Sequence, residues 1–303
     1  MLGTGLTFIL AFCSIDNFNQ VKIFETDDSK MTNEQKEVLI SNGIQQIKIY
    51  LFLIFLFAII ILAVIYVFFQ EKPEIPTCFI AELPRENFAK ALKKMAGQMN
   101  YLLLAAGFAV LASNYGILMT FINSFFLPFA LSQKEIAFIG SILNFSTFLG
   151  KICVGFFAGK YLSYKNTLLF TTGASFITMG FFIIALFQHH FIAIAVNSAF
   201  FGFFLQMYWA PALEFGCEIV FPIGEANANG GLIMAGCLAN VLIGGSLSGF
   251  FEEGGTKKSI FWFFGSLFLA YFLFFLTKES LNREQKEIEM IIEDKFQNNQ
   301  IRI

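Results

Sequence analysis

The stretch Ile49–Phe69, IYLFLIFLFAIIILAVIYVFF, decides the fold class: it is 21 consecutive residues without an Asp, Glu, Lys or Arg. The hydrocarbon core of a bilayer is about 30 Å thick, and a helix needs about 20 apolar residues to cross it. In lipid the backbone has to satisfy its own hydrogen bonds, so a run of this length reads as a transmembrane helix. The same test identifies Tyr101–Ala130 (30 residues), Thr167–Phe187 (21), Phe191–Leu213 (23), Ala226–Phe251 (26) and Ser259–Thr277 (19). Ile136–Gly159 is a further span, interrupted only by Lys151, which brings the full spans to seven. An eighth segment, Met1–Ile15, has 15 uncharged residues. Its length suits the apolar region of a signal peptide, but no Lys or Arg precedes it and no small-x-small cleavage site follows. The preferred expectation is a membrane helix whose beginning lies upstream.

Composition agrees. Charged residues make up 14% of the 303-residue chain and apolar residues 56%, with 43 Phe and a net charge of −2. A soluble domain carries about 25% charged and 45–50% apolar residues. A soluble enzyme, a disordered protein and a disulfide scaffold are excluded. The near-neutral balance offers no basic face to nucleic acid. Cys13, Cys78, Cys153, Cys217 and Cys237 are scattered without metal-ligand or disulfide spacing. No nucleophile–base pair, phosphate loop or H-E-x-x-H string occurs, so neither an enzyme nor a cofactor or metal site is expected.

The spans divide the chain into residues 1–69 (two helices with an outer loop), 70–99 (a cytosolic connector), 100–277 (six helices) and 278–303 (a cytosolic tail). Within the connector, Arg85–Gly97 can form an amphipathic helix with Phe88, Leu92 and Met95 on one face. Cytosolic loops of membrane proteins are enriched in Lys and Arg. With residue 1 inside, 12 Lys and Arg fall on the inner side and 7 on the outer, so both termini are expected in the cytosol. A six-helix bundle after a long cytosolic connector is the layout of one half of a two-domain secondary transporter.

Three strings carry a family resemblance: Phe69-Gln70-Glu71-Lys72-Pro73, Gly155–Lys165 (GFFAGKYLSYK), and Glu214–Glu225 (EFGCEIVFPIGE) followed by Gly230. With its E-F-x-x-E-x-x-[YF]-P-x-x-E pattern the chain resembles the feline leukaemia virus subgroup C receptor-related transporters. These form a branch of the major facilitator superfamily linked to haem and choline transport. The resemblance covers residues 1 to about 286 and runs from the family's fifth helix to its twelfth. It implies a facilitator-type all-α membrane bundle: a complete C-terminal six-helix half with the last two helices of the N-terminal half. The implied function is transport of a haem- or choline-like solute by alternating access, by a truncated carrier that a second chain completes. The alternative is a non-transporting membrane scaffold or subunit derived from such a carrier. By the family's spacing, a tyrosine that encloses the cationic head group falls at Gly116, next to Tyr115, and a glutamine of the eleventh helix falls at Cys237. The superfamily's loop Asp falls at Gly159.

The candidate site residues are the polar and aromatic groups at mid-depth. Asn114, Tyr115, Gln206, Tyr208, Cys237 and Asn240 are the substrate-binding candidates, because Tyr and Trp faces attract ammonium groups and side-chain amides hydrogen-bond within a bundle. Glu214, Glu218, Glu225 and Lys151 are the gating candidates. Glu214 and Glu218 are four residues apart on one helical face, and an ionisable residue within a span is expensive and functional by default. The expected partners are the lipid bilayer and a small-molecule substrate, with no nucleic acid.

Overall fold

The computed structural model describes residues 33–69, 87–129, 131–157, 163–252 and 256–280. The expected Met1–Ile15 span, most of the connector and the tail beyond residue 280 lie outside the described residues, as do residues 158–162 of the Gly155–Lys165 string. Every described element is helical, and seven helical segments are long and apolar enough to cross a membrane. The chain is a multi-pass membrane protein of the facilitator-like, all-α class.

The chain forms two units, residues 16–84 and the rest. The first contains helix α1 (Asn33–Phe68), whose apolar segment is Ile47–Phe68. The sequence reading placed an outer loop up to Lys48, but the helix starts 16 residues earlier than the apolar run. Residues 33–48 contain no Pro and are rich in Gln, Glu, Lys and Ile. Nothing there stops a helix from extending past the hydrocarbon.

The second unit opens with α2 (Phe88–Ala96). The Asn87 side chain caps it by accepting from the Ala89 amide at 3.1 Å. Ala91 and Met95 are fully buried, Leu92 is half-buried and Phe88 remains exposed, so the expected apolar face is present. It packs on the next helix, α3 (Met99–Thr120), and on α9 (Glu225–Glu252). Lys90, Lys93 and Lys94 stay exposed.

Beyond α3 the chain runs through α4 (Ile122–Phe126), a 3-10 turn Leu127–Phe129, α5 (Gln133–Phe157), α6 (Tyr164–Phe187), α7 (Phe191–Leu205) and α8 (Trp209–Val220). After α9 comes α10 (Thr256–Leu276). Two of the expected spans are broken. Tyr101–Ala130 as one helix would be about 45 Å long at 1.5 Å per residue, longer than the hydrocarbon core of about 30 Å. It breaks at Phe121, ahead of Asn123, Ser124 and Pro128. Phe191–Leu213 runs further than expected, to Val220, and is interrupted at Gln206–Tyr208. Pro211 explains the interruption: it has no N–H for the Met207 carbonyl and its ring crowds that carbonyl.

Helix ends carry legible signals. Ser132 and Glu135 form a capping box at α5: Glu135 accepts from the Ser132 amide at 2.8 Å and the Ser132 hydroxyl accepts from the Glu135 amide at 3.4 Å. Ser163 caps α6 by accepting from Asn166 at 3.4 Å.

The helix pairs in contact relate two triplets, α3–α5–α6 and α7/α8–α9–α10. The α3–α9 pair is matched by α7–α5, the α3–α10 pair by α7–α6, and α6–α10 maps onto itself. Such a threefold-plus-threefold arrangement is the internal repeat of a facilitator half. The first helix of each triplet is the broken one. Glycines let α5 and α7 cross closely. A methyl group on Gly202 would lie 2.5 Å from the Leu143 carbonyl oxygen, and one on Gly150 would collide with the Phe203 carbonyl oxygen. Small residues at a helix crossing are what permits such approach in lipid.

Candidate functional site: an aromatic group at the α7–α8 break

The break brings Gln206, Met207, Tyr208 and Trp209 into the bundle. Tyr208 is 1% exposed and Gln206 0%. The Tyr208 ring lies 5.5 Å from Phe108 of α3, edge to face, and the Trp209 ring lies 4.9 Å from Phe108 and 6.3 Å from Tyr208. These edge-to-face and tilted contacts are favourable for ring quadrupoles. Trp209 is the half-buried member of the three. Over the Trp209 ring, 5.1 Å from its centroid, stands the Lys151 ammonium of α5.

The polar groups around the break are unevenly satisfied. Both amide atoms of Gln206 and the Tyr208 hydroxyl are buried without a hydrogen-bond partner. A buried polar group in that state costs about 1–3 kcal/mol, and a ligand or water offering hydrogen bonds would recover it. One helical face further along α3, the Tyr115 hydroxyl donates to Asn144 Oδ1 of α5 at 2.6 Å. The Asn144 amide donates to the Gly140 carbonyl at 3.0 Å and to Met119 sulfur at 3.2 Å.

The six substrate candidates from sequence therefore divide. Tyr115, Gln206 and Tyr208 belong to the α3–α5–α8 region. Asn114 faces the other way, and its Oδ1 accepts from Ser266 of α10 at 2.9 Å. Asn240 packs over Gly116, where any Cβ would lie 2.6 Å from Asn240 Oδ1. An amide from α9 thus stands where the resemblance would put a tyrosine ring. Cys237 is exposed on α9.

The gating candidates also separate. Glu218 is 8% exposed near the end of α8, whereas Glu214, one turn before it, is exposed. Between them, Cys217 donates to Asn229 Oδ1 of α9 at 3.4 Å. Glu225 is exposed in the first turn of α9, where the helix dipole favours a carboxylate. Close by, the Tyr101 hydroxyl donates to the Ala228 carbonyl at 2.6 Å, joining α3 to α9. Among the described residues no group of His, Cys, Asp and Glu is placed to hold a metal ion.

Two members of the region were missed in the sequence. Asn144 carried a usable signal, a lone amide in mid-span. Phe108 carried none, being one of 43 Phe.

No protein-family model matches the chain. Among curated proteins it is similar to the choline/ethanolamine transporter FLVCR1 of Felis catus, with 25% identity over 231 residues, 73% of this chain and 40% of that protein. It is also similar to the choline/ethanolamine transporter FLVCR2 of Homo sapiens, with 22% identity over 223 residues, 71% of this chain and 41% of that one. An uncharacterized MFS-type transporter of Caenorhabditis elegans is 23% identical over 177 residues, 56% of this chain and 30% of the relative. The chain thus matches less than half the length of each of these relatives. Its relatives are transporters, and the chain is a distant homologue of the major facilitator-type carriers related to the feline leukaemia virus subgroup C receptor.

Proposed function

We propose that this chain takes part in transmembrane transport of a small ammonium solute of the choline or ethanolamine class, by alternating access around the α7–α8 break. The observation that carries the reading is the Phe108–Tyr208–Trp209 group with its half-buried indole. An ammonium over an indole face gains about 0.5–2 kcal/mol, most when water is excluded. Gln206 and Tyr208 would supply hydrogen bonds to the solute's hydroxyl from the same break. The names of the FLVCR relatives support the same solute class. Haem receives no comparable support: His189 and His190, the two His of the chain, lie exposed at the α6–α7 turn. Facilitator sites lie between two bundles, so α3–α10 supply one wall. Lipid surrounds the bundle, both termini face the cytosol, and Glu218 serves as the gating carboxylate.

The test is flux of labelled choline and ethanolamine into proteoliposomes. Because this chain supplies one wall, the expected result is no flux from the chain alone and a choline-dependent thermal shift that Trp209→Leu abolishes, with folding intact. Absence of flux and of any solute-dependent thermal shift in folded protein would favour the non-transporting scaffold instead.

A further inference from the structure

We infer that Lys151 is a built-in competitor for the ammonium site: its own ammonium stands over the Trp209 ring, and solute and Lys151 exclude each other there. This rests on the ammonium reading above and adds a residue that sets its affinity. Three observations carry it. Lys151 lies inside α5, six residues before its last residue, Phe157. Lys151 is half-buried there, and ionisable residues within a span mark solute or ion pathways. The ammonium stands 5.1 Å from the Trp209 centroid, within cation–π range. Finally, Trp209 is half-buried and its ring packs against Phe108 at 4.9 Å and Tyr208 at 6.3 Å, which limits the ring area left for a second cation.

The consequence is a gate on affinity rather than a barrier to passage. The long lysine stem lets the ammonium swing off the ring when a solute arrives. The solute then has to displace one cation and tolerate it nearby. Removing the lysine charge frees the ring and removes that repulsion, so affinity for ammonium solutes rises by about tenfold, the size of one cation–π contact. An arginine in its place keeps the competition.

The chain has two Trp, so Trp262→Phe leaves Trp209 as the single reporter of indole fluorescence. The experiment titrates choline and tetramethylammonium into this single-Trp protein in nanodiscs, with Lys151 intact, with Lys151→Met and with Lys151→Arg. The expected result is saturable quenching whose half-point falls about tenfold in Lys151→Met and stays put in Lys151→Arg. Equal half-points in all three would overturn the inference and leave the ammonium site standing. Loss of quenching in Lys151→Met alone would also overturn it, making Lys151 a positioning residue. No quenching in any of the three, in folded protein, would overturn the ammonium reading itself and the inference with it.

Discussion

The hydroxyl of Tyr115 donates to the side-chain carbonyl of Asn144 across 2.6 Å, between α3 and α5, two helices that do not pack along their length. The bond is therefore a tie across a gap and not a by-product of close packing. Buried hydrogen bonds between membrane helices average about 0.6 kcal/mol and reach about 1.7. A double-mutant cycle of Tyr115→Phe and Asn144→Ala, read by unfolding in mixed micelles, should give a coupling energy in that range. A coupling indistinguishable from zero would mean that the tie is not held in the membrane.

Asn114 and Ser266 make a different kind of pair. Asn114 Oδ1 accepts from Ser266 at 2.9 Å while Asn114 Nδ2 is buried without a partner. Ser266→Ala orphans the remaining half of the amide and should lower stability by about 1–3 kcal/mol. Choline affinity should not move with it, because the pair lies on the α3–α10 side, away from Trp209. A parallel loss of affinity would return Asn114 to the substrate site.

Glu218 and Glu214 should part company in function as they do in burial. Glu218→Gln removes a carboxylate that is 8% exposed, and Glu214→Gln an exposed one. The expected result is that only Glu218→Gln changes cysteine-labelling accessibility of the cytosolic mouth, with ligand affinity at saturation unchanged. An equal effect from Glu214→Gln would restore the two carboxylates as a single latch.

Overpacking tests the α5–α7 crossing. Gly202→Val places branched carbons where a methyl group would already sit 2.5 Å from the Leu143 carbonyl. The backbones have to separate, at a cost of about 1–3 kcal/mol or more, and folded yield should fall measurably. At Gly155 nothing lies within contact distance, so Gly155→Val should be tolerated. A tolerated Gly202→Val would show that the two helices stand farther apart.

The proposed orientation rests on 12 Lys and Arg on one side of the spans and 7 on the other. Tags at Met1 and Ile303 should resist external protease in intact cells, and a tag at Asp27 should be cut. A protected Asp27 tag would invert the topology.

The amino-acid sequence by itself determined the class of the molecule, because the bilayer imposes a one-dimensional rule. Runs such as Ile49–Phe69 and Thr167–Phe187 must be helical to satisfy their backbone in hydrocarbon, whatever they pack against. It also carried the local signals at Ser132–Glu135, Ser163 and Pro211, since caps and proline act over one turn. Which polar side chains face one another was left to the tertiary structure. Asn114 and Tyr115 are adjacent in sequence, yet one reaches Ser266 on α10 and the other Asn144 on α5. A step of one residue turns a helix by 100°, and what stands at each angle depends on packing over separations of 152 and 29 residues. Phe108 joins Trp209, and Lys151 covers it, only because α3, α5 and α8 converge there. No window of sequence holds all three helices.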